Sequence, residues 1–239
     1  MPSETEPLCE LWEEVYPTLL QHSRLFCLEP LGLGTPFVES LTSYITRLAD
    51  AHSIHLRLLI KSELLPQLFK LAHGHDGQSS YNDLTPFWER SGCLNGISTT
   101  TDQWVQTLEL LTKQTNLRIL TMLPWAGAIS HRGLYRKTQA WCSACYEEWR
   151  EAEEPIYQPL LWALEPIKVC PRHQIQLQER CPFLDCQKSQ TFLAPRAQLG
   201  YCTHCRRWLA PSPSKSLFGN LERTKAITML KADETTSQV

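Results

Sequence analysis

The clearest pattern of apolar and polar positions in the chain lies just after Pro36. Apolar side chains recur there at the i, i+3, i+4 and i+7 positions of one helical face, which predicts a helix that ends at about Ala51. These apolar residues are Leu41, Tyr44, Ile45 and Leu48. A short polar break and a second apolar pattern over residues 54–65, followed by Pro66, predict a second helix. The two helices have helix-turn-helix spacing, although periodicity alone favours a helical hairpin that only packs.

The other apolar patterns before residue 126 are shorter. A third helix is expected behind a threonine-rich stretch, with Thr or Asp as its cap. Its apolar face is formed by Trp104, Leu108 and Leu111. Phe87 and Trp88 are the expected core anchors of a short element, and residues 117–124 predict another short helical or strand piece. The polar, glycine-bearing residues 73–80 predict an exposed connection.

The two ends of the chain carry weaker patterns. Residues 1–22 predict a short amphipathic helix that Pro17 interrupts, and the segment after it alternates apolar groups with Pro and Gly, as an extended arm does. After Trp208, a stretch rich in Pro and Ser predicts a linker, followed by one amphipathic turn and a polar tail that we expect to be disordered.

Composition and charge narrow the classes of function. The chain has 239 residues, of which 42% are hydrophobic, so it can form one medium domain or two small ones with a buried core. A net charge of −2 argues against a protein that coats nucleic acid through bulk charge. The first residues lack a basic region and an apolar run, and no stretch approaches about 18 apolar residues. We therefore expect no signal peptide, no contact with a membrane and a reducing cytoplasm.

Four pairs of closely spaced metal ligands fall within residues 142–205. They occur in the strings WCSAC, VCPRH, RCPFLDC and YCTHC. The eight ligands are Cys142, Cys145, Cys170, His173, Cys181, Cys186, Cys202 and Cys205. Because two ligands separated by two to four residues reach one ion from a tight turn, this set predicts two structural zinc ions with four ligands each.

The spacing leaves the pairing of these turns open. A sequential arrangement puts the first two pairs on one ion and the last two on the other, whereas a cross-braced arrangement shares one ion between the first and third pairs. A disulfide framework is the alternative chemistry, but the lack of a secretory signal favours zinc. Catalysis by zinc is disfavoured, because both sites are filled by protein ligands and the sequence signatures of zinc deaminases and metalloproteases are missing. His131 and His204 are expected to lie beside the thiolates or in solvent.

The ligand pairs predict the fold of the second half. Apolar pairs between the ligands suit short hairpins, so the expected fold is mainly α with small zinc-ribbon β-hairpins: an N-terminal helix-turn-helix domain followed by tandem zinc-finger modules. The expected units are an N-terminal arm at residues 1–30, a helical domain at 31–125, a tandem zinc-binding domain at 126–212 and a C-terminal helix or disordered tail at 213–239.

Charge is distributed unevenly around these ligands. Residues 168–215 hold eight basic and two acidic side chains, which makes this segment locally basic. The candidate nucleic-acid contacts in it are Arg172, Arg196, Arg206, Arg207 and Trp208, because arginines neutralise phosphates and aromatic rings stack on unpaired bases. The same arginines equally suit a role in solubility. The acidic run at residues 147–154 is interpreted as a solvated helix face or an inserted loop.

The order of these motifs resembles one protein family over roughly residues 24–210. The string ESLTSYITRLADAH, a helical stretch, a CxxC, a CPxH with Leu177 four residues on, a CP pair and a final GYCTHCRRWL are similar to the TniQ/TnsD target-selection proteins of bacterial transposons. The resemblance implies sequential zinc sites, a helix-turn-helix at about residues 37–68 and a location in the bacterial cytoplasm, associated with the nucleoid. Cys181 and Cys186 are separated by four residues rather than the family's two, so we expect a wider turn there.

The resemblance also implies a function. The short stretch after Cys205 leads us to expect a short TniQ, which acts as a non-catalytic adaptor in RNA-guided DNA transposition. It would link a CRISPR effector complex, with its guide RNA and target DNA, to the AAA+ ATPase regulator TnsC. Trp12 and Phe26 are candidate anchors for protein partners, and the sequence is compatible with a homodimer. The main alternative is a stand-alone, sequence-specific DNA-binding protein made of a helix-turn-helix and zinc ribbons; a zinc hydrolase or deaminase is the least supported.

Overall fold

The structure is a computed structural model that describes residues 23–74, 83–129 and 133–211. Its α-helices are α1 Leu41–Ala51, α2 Leu56–Leu59, α3 Leu65–His73, α4 Thr85–Arg90, α5 Thr99–Thr112 and α6 Ser143–Glu151. Short 3₁₀ helices lie at Ser91–Asn95, Leu117–Leu120, Leu123–Trp125 and Leu160–Ala163. Within the described ranges, β structure is limited to isolated bridges. The prediction of a mainly helical chain is confirmed, while the amphipathic segments predicted at the two ends lie outside the described residues.

Helix α1 forms where its apolar pattern predicts it. Ser40 is the N-cap, and its hydroxyl accepts a hydrogen bond from the Ser43 N–H. All four residues of the predicted apolar face are fully buried. The helix ends at Ala51, where His52 and then Ser53, with a φ of 54°, turn the chain toward α2.

The second helix extends past Pro66, beyond the apolar pattern over residues 54–65 that predicts it. Helix α2 continues through a π-helical segment, Ile60–Leu64, directly into α3, and Pro66 lies in the first turn of α3. The Leu65 N–H donates to the Ile60 carbonyl, one residue further back than in an α-helix. This wider turn immediately before the proline makes room for the ring of Pro66. It also accommodates the hydrogen bond that Pro66 cannot donate, because proline has no N–H.

The next elements pack across this helix pair. The N-cap of α5 is Ser98, rather than the expected Thr or Asp, and its hydroxyl accepts from the Thr101 N–H. Trp88 on α4 is buried, and Phe87 stacks on Trp104 of α5 with the ring centroids 5.4 Å apart. The segment predicted as a short helical or strand piece forms two 3₁₀ helices, starting at Leu117 and Leu123.

The buried apolar residues form two clusters. The first contains residues from Leu25 to Leu123 together with Leu193, and the second contains residues from Ala140 to Ala210. The two clusters are joined by hydrogen bonds at the start of α1. The Ser40 N–H donates to the Gln158 carbonyl at 2.8 Å, and the Leu160 N–H donates to the Val38 carbonyl at 2.8 Å.

Glu39 anchors this junction from within. It is fully buried, accepts a hydrogen bond from the Ser43 hydroxyl at 2.8 Å and forms an ion pair with Arg47. Burial raises the pKa of the Glu39 carboxyl, while Arg47 opposes that rise. The buried carboxylate therefore has a specific ion-pair partner in Arg47.

The second half is organised by turns. Three isolated bridges, Val169–Gln176, Arg180–Ser189 and Tyr201–Trp208, each close a short loop that contains one pair of the predicted ligands. The fourth pair lies at the start of α6, where Cys142 is the N-cap. No helix in the described part of the chain is long and apolar enough to cross a membrane.

Candidate metal centres and basic surface

The first candidate metal centre joins the N-terminus of α6 to the loop closed by the Val169–Gln176 bridge. Its four donor residues are Cys142, Cys145, Cys170 and His173. The Cys145 and Cys170 sulfur atoms are 3.7 Å apart, and His173 Nδ1 lies 3.5 Å from Cys142 Sγ and 3.3 Å from Cys145 Sγ. The Cys170 N–H donates to the Ile175 carbonyl at 2.8 Å, which fixes the tight loop that presents Cys170 and His173.

The second candidate metal centre joins two bridge-closed loops. Its donors are Cys181, Cys186, Cys202 and Cys205. The Cys181 and Cys205 sulfur atoms are 3.6 Å apart, and those of Cys186 and Cys202 are 3.7 Å apart. The longer loop turns at Phe183, whose carbonyl accepts from the Cys186 N–H at 2.9 Å.

These distances are those expected around one tetrahedral ion. Zinc–sulfur bonds of about 2.3 Å and zinc–nitrogen bonds of about 2.0 Å place neighbouring sulfur atoms about 3.8 Å apart and sulfur about 3.5 Å from nitrogen. In each cluster all four donor atoms lie within 4.8 Å of one another. The eight ligands therefore form two groups that can hold metal ions, and the geometry selects the sequential arrangement over the cross-braced one.

Hydrogen bonds favour the thiolate form of one cysteine in each cluster. The side chain and the N–H of Cys145 lower the pKa of Cys142 to about 5, although burial opposes them. Burial likewise raises the pKa of Cys205, but Arg207 outweighs it and brings that pKa to about 6. The hydrogen bond with Cys142 and burial raise the pKa of Cys145 instead, and burial raises the pKa of Cys170 and Cys181. A bound cation would therefore be needed to hold all the cysteines of a cluster as thiolates, which are the metal-binding form.

Glu148 orients the histidine of the first cluster. Its Oε1 lies 2.7 Å from His173 Nε2, so the ring directs Nδ1 toward the three sulfur atoms. Arg172 Nη2 lies 2.7 Å from the other carboxylate oxygen and fixes Glu148 in turn. The hydrogen bond with His173 lowers the pKa of Glu148.

Gln190 and Arg207 play a comparable part at the second cluster. The Gln190 amide nitrogen donates to Cys202 Sγ at 3.4 Å, while its oxygen accepts from the Thr203 N–H at 2.7 Å. Arg207 Nε donates to Cys205 Sγ at 3.5 Å. Gln190 is fully buried, so these hydrogen bonds fix the relative position of the two loops.

Sequence reasoning missed both Glu148 and Gln190. Glu148 belongs to the acidic run that the sequence analysis interprets as a solvated helix face or an inserted loop. It lies three residues after Cys145, however, and therefore on the same face of a helix that begins with the ligands. Gln190 shows no comparable signal, because its partners come from a loop that only the tertiary fold brings near.

The structure distributes the predicted nucleic-acid contacts over several environments. Arg172 is paired with Glu148, and Arg207 is paired with Asp185 and lies over the Phe183 ring. Trp208 is half-buried, and its Nε1 donates to Glu147 at 3.0 Å. Arg206 is exposed and donates to the carbonyl of Arg196, which is also exposed. The structure thus brings Arg196 and Arg206 together, and contact of the five residues with nucleic acid stays a prediction.

One of the two predicted protein anchors can be located. The Phe26 side chain is 54% exposed and stacks on His52 with the ring centroids 4.1 Å apart. Its backbone N–H donates to His52 Nε2 at 3.0 Å. Trp12 lies outside the described residues, and the role of both residues in partner binding stays a prediction.

The helical half and the first cluster match a known protein family. A family model described as TniQ matches residues 30–177, which is more than half of the chain. The matched range contains the helical half and the complete first cluster, and it ends before the second cluster. No curated protein matches the chain.

Proposed function

This chain belongs to the TniQ family, and from that premise we propose that it is a non-catalytic target-selection adaptor in RNA-guided DNA transposition. The family is generally a transposition accessory that does not catalyse the reaction, and its domain implies a role in DNA binding and target selection. The more specific proposal is that the protein links a CRISPR effector complex, with its guide RNA and target DNA, to the ATPase TnsC.

The single observation that carries this proposal is the family match over a helical half and a complete four-ligand cluster. We propose that each of the two clusters holds one structural zinc ion. Four protein donors fill a tetrahedral site, so a bound zinc stabilises the arrangement of loops without an open coordination position for a substrate. The bridge-closed loops would then act as small zinc ribbons that present recognition surfaces.

The helical half supports a second part of the proposal. Helix α1 and the continuous helix from α2 to α3 are joined by residues 52–55, a connection as short as that of helix-turn-helix units. The Ile54 N–H donates to the Ala49 carbonyl at 3.1 Å and holds the turn closed. We propose that this pair is the helix-turn-helix of the adaptor.

The proposed adaptor is tested by retention of TnsC on the immobilised full-length chain, measured with and without the effector complex. We expect TnsC to be retained, and the metal content of the same preparation to be two zinc ions per chain. A preparation that contains both zinc ions but retains neither TnsC nor the effector would contradict the adaptor role. A folded chain with one zinc ion or none would contradict the metal sites instead.

A further inference from the structure

A basic cleft lies where the two halves of the chain meet. It has a volume of about 400 Å³ and lies between the start of the α2–α3 helix and the turn that follows Leu193. The residues that line it are His55, Arg57, Leu58, Lys61, Pro195 and Arg196. We call this feature the basic cleft.

The two walls of the basic cleft are held against each other. The Arg57 N–H donates to the Pro195 carbonyl at 3.1 Å, and the Ala197 N–H closes the turn by donating to the Ala194 carbonyl at 3.0 Å. Just before this turn, Leu193 is fully buried in the helical core, and its N–H donates to the Ser91 hydroxyl at 3.0 Å. The cleft is therefore preorganised, and a ligand would not have to order it.

The charge of the basic cleft is uncompensated along its lining. Arg57, Lys61 and Arg196 are all exposed, and no ion pair involves any of them among the residues that the structure describes. Hydrogen bonds with Thr85 are the main cause of the lowered pKa of Asp83, to which the charge of Arg57 also contributes. Three cations converge from two segments, so the complementary ligand is an anion.

The lining also distinguishes between kinds of polyanion. Proteins that bind single strands stack successive bases on several aromatic rings, and among the described residues that line the basic cleft the only aromatic ring is the His55 imidazole, with no Phe, Tyr or Trp beside it. Arg57 and Lys61 lie four residues apart, about one helical turn, and both are exposed on the α2–α3 helix. Leu58 between them is 52% exposed and offers an apolar contact to a sugar. These features suit the phosphate backbone of a duplex.

We propose that the basic cleft binds the sugar–phosphate backbone of duplex DNA, with phosphate groups placed among Arg57, Lys61 and Arg196. The proposal rests on the DNA-associated function proposed above and assigns that function to one surface built from both halves of the chain. Phosphate contacts position a protein on DNA without reading its sequence. The cleft would therefore hold the adaptor on target DNA while other components choose the site.

The test compares the full-length protein with the triple variant Arg57→Gln, Lys61→Gln, Arg196→Gln. Binding to a short duplex of arbitrary sequence is measured by fluorescence anisotropy across a range of salt concentrations. Each lost phosphate contact makes the slope of log K against log salt shallower by about 0.9, so we expect a change of about 2.7 for the triple variant. Lys137→Gln removes an exposed cation outside the cleft and should leave the slope unchanged.

Parallel measurements separate this proposal from its alternatives. Zinc content and thermal melting of the triple variant should match the unsubstituted protein, because all three side chains are exposed. An unchanged DNA slope together with lost retention of TnsC would show that the cleft binds an acidic protein surface, and would overturn the proposal. A change seen only with duplex RNA or with a single strand would overturn it as well. If neither the unsubstituted protein nor its variants retain TnsC, while the DNA result is as expected, the adaptor role is contradicted and the DNA-binding role of the cleft is not.

Discussion

At the scale of single residues, the candidate metal centres depend on side chains that do not bind the metal themselves. Glu148 is the clearest case, because it lies 2.7 Å from His173 Nε2 and is itself paired with Arg172. A carboxylate in this position raises the basicity of the histidine and fixes the orientation of its ring. The acidic run that contains Glu148 is therefore more than a solvated surface.

Substitution of Glu148 should weaken the first centre without removing a ligand. We expect Glu148→Ala to reduce zinc affinity at that centre by about 10- to 100-fold, because the ring of His173 loses its acceptor. The measurement is competition with a chromogenic chelator, which counts the zinc ions released from each protein. Glu151→Ala changes an exposed carboxylate on the same helix and serves as the control. Equal zinc affinity in the two variants would show that Glu148 does not orient His173.

The buried phenol of Tyr44 predicts how the stability of the protein changes at high pH. It is fully buried, and its hydroxyl donates to the Leu28 carbonyl at 3.0 Å. Burial raises its pKa to about 12 from an ordinary value near 10, so the folded state holds the phenolic proton more tightly than the unfolded state does. Its contribution is fully present below about pH 10 and is lost as the pH rises through about 12, a change of about 2 to 3 kcal/mol.

The corresponding variant is Tyr44→Phe. We expect it to cost about 1 kcal/mol at neutral pH through the lost hydrogen bond, and to lose less stability than the unsubstituted protein between about pH 10 and 12. Urea unfolding followed by circular dichroism at several pH values measures both effects. Parallel stability curves for the two proteins over the alkaline range would be inconsistent with this role of Tyr44.

At the scale of elements, the loop that carries Cys202 and Cys205 depends on a close approach between Gly200 and Trp208. Gly200 has a φ of +80°, and a Cβ at this position would lie 2.2 Å from the Trp208 ring. The Leu209 N–H donates to the Gly200 carbonyl at 2.8 Å, so the backbone has little freedom to move away. The glycine is thus required by both backbone conformation and space.

Gly200→Ala should therefore destabilise the second centre. We expect a loss of about 3 kcal/mol, because the alanine adds a clash with Trp208 to the backbone strain of a positive φ. Gly34→Ala tests the strain alone, since Gly34 has a φ of +73° with no atom within 4 Å of its Cβ, and should cost about 1 kcal/mol. Urea unfolding and zinc content are measured for both variants. A similar cost for the two would mean that the ring of Trp208 can move aside.

The elements also show which parts of the fold could be predicted. Helix α1 and the eight ligands follow local patterns, namely an apolar periodicity and the spacing of paired donors, and both were predictable. The passage of a helix through Pro66 was not, because it depends on a π segment that packs Leu64 into the core. The basic cleft could not be predicted from the sequence either. It is lined by Arg57 and Arg196, which are distant in sequence and meet only through the tertiary fold.

At the scale of the whole molecule, the two candidate centres differ in how deeply they are buried and in how they are connected to the helical half. The first centre lies inside the second apolar cluster, where Cys142, Cys145 and Cys170 are fully buried beside Trp141 and Trp162. The second centre is more peripheral, since Cys186 and Cys205 are only partly buried. The Gln158 amide donates to the hydroxyl of Tyr146, the neighbour of Cys145, at 3.2 Å, and the segment 158–160 is hydrogen-bonded to the start of α1. Loss of the first metal should therefore spread to the helical half, whereas loss of the second should remain local.

This difference is tested by one cysteine substitution in each centre. A structural zinc site contributes on the order of 10 kcal/mol in apparent terms, comparable to the total stability of a domain, which is about 5 to 15 kcal/mol. We therefore expect Cys170→Ser to abolish cooperative thermal unfolding, and Cys205→Ser to retain one zinc ion and a cooperative transition of the helices. Cys93→Ser, an exposed cysteine outside both centres, is the control and should retain both ions. Metal analysis and far-ultraviolet circular dichroism give the two readouts. Loss of both zinc ions in Cys205→Ser would show instead that the two centres fold as one unit, so that the second centre is not peripheral.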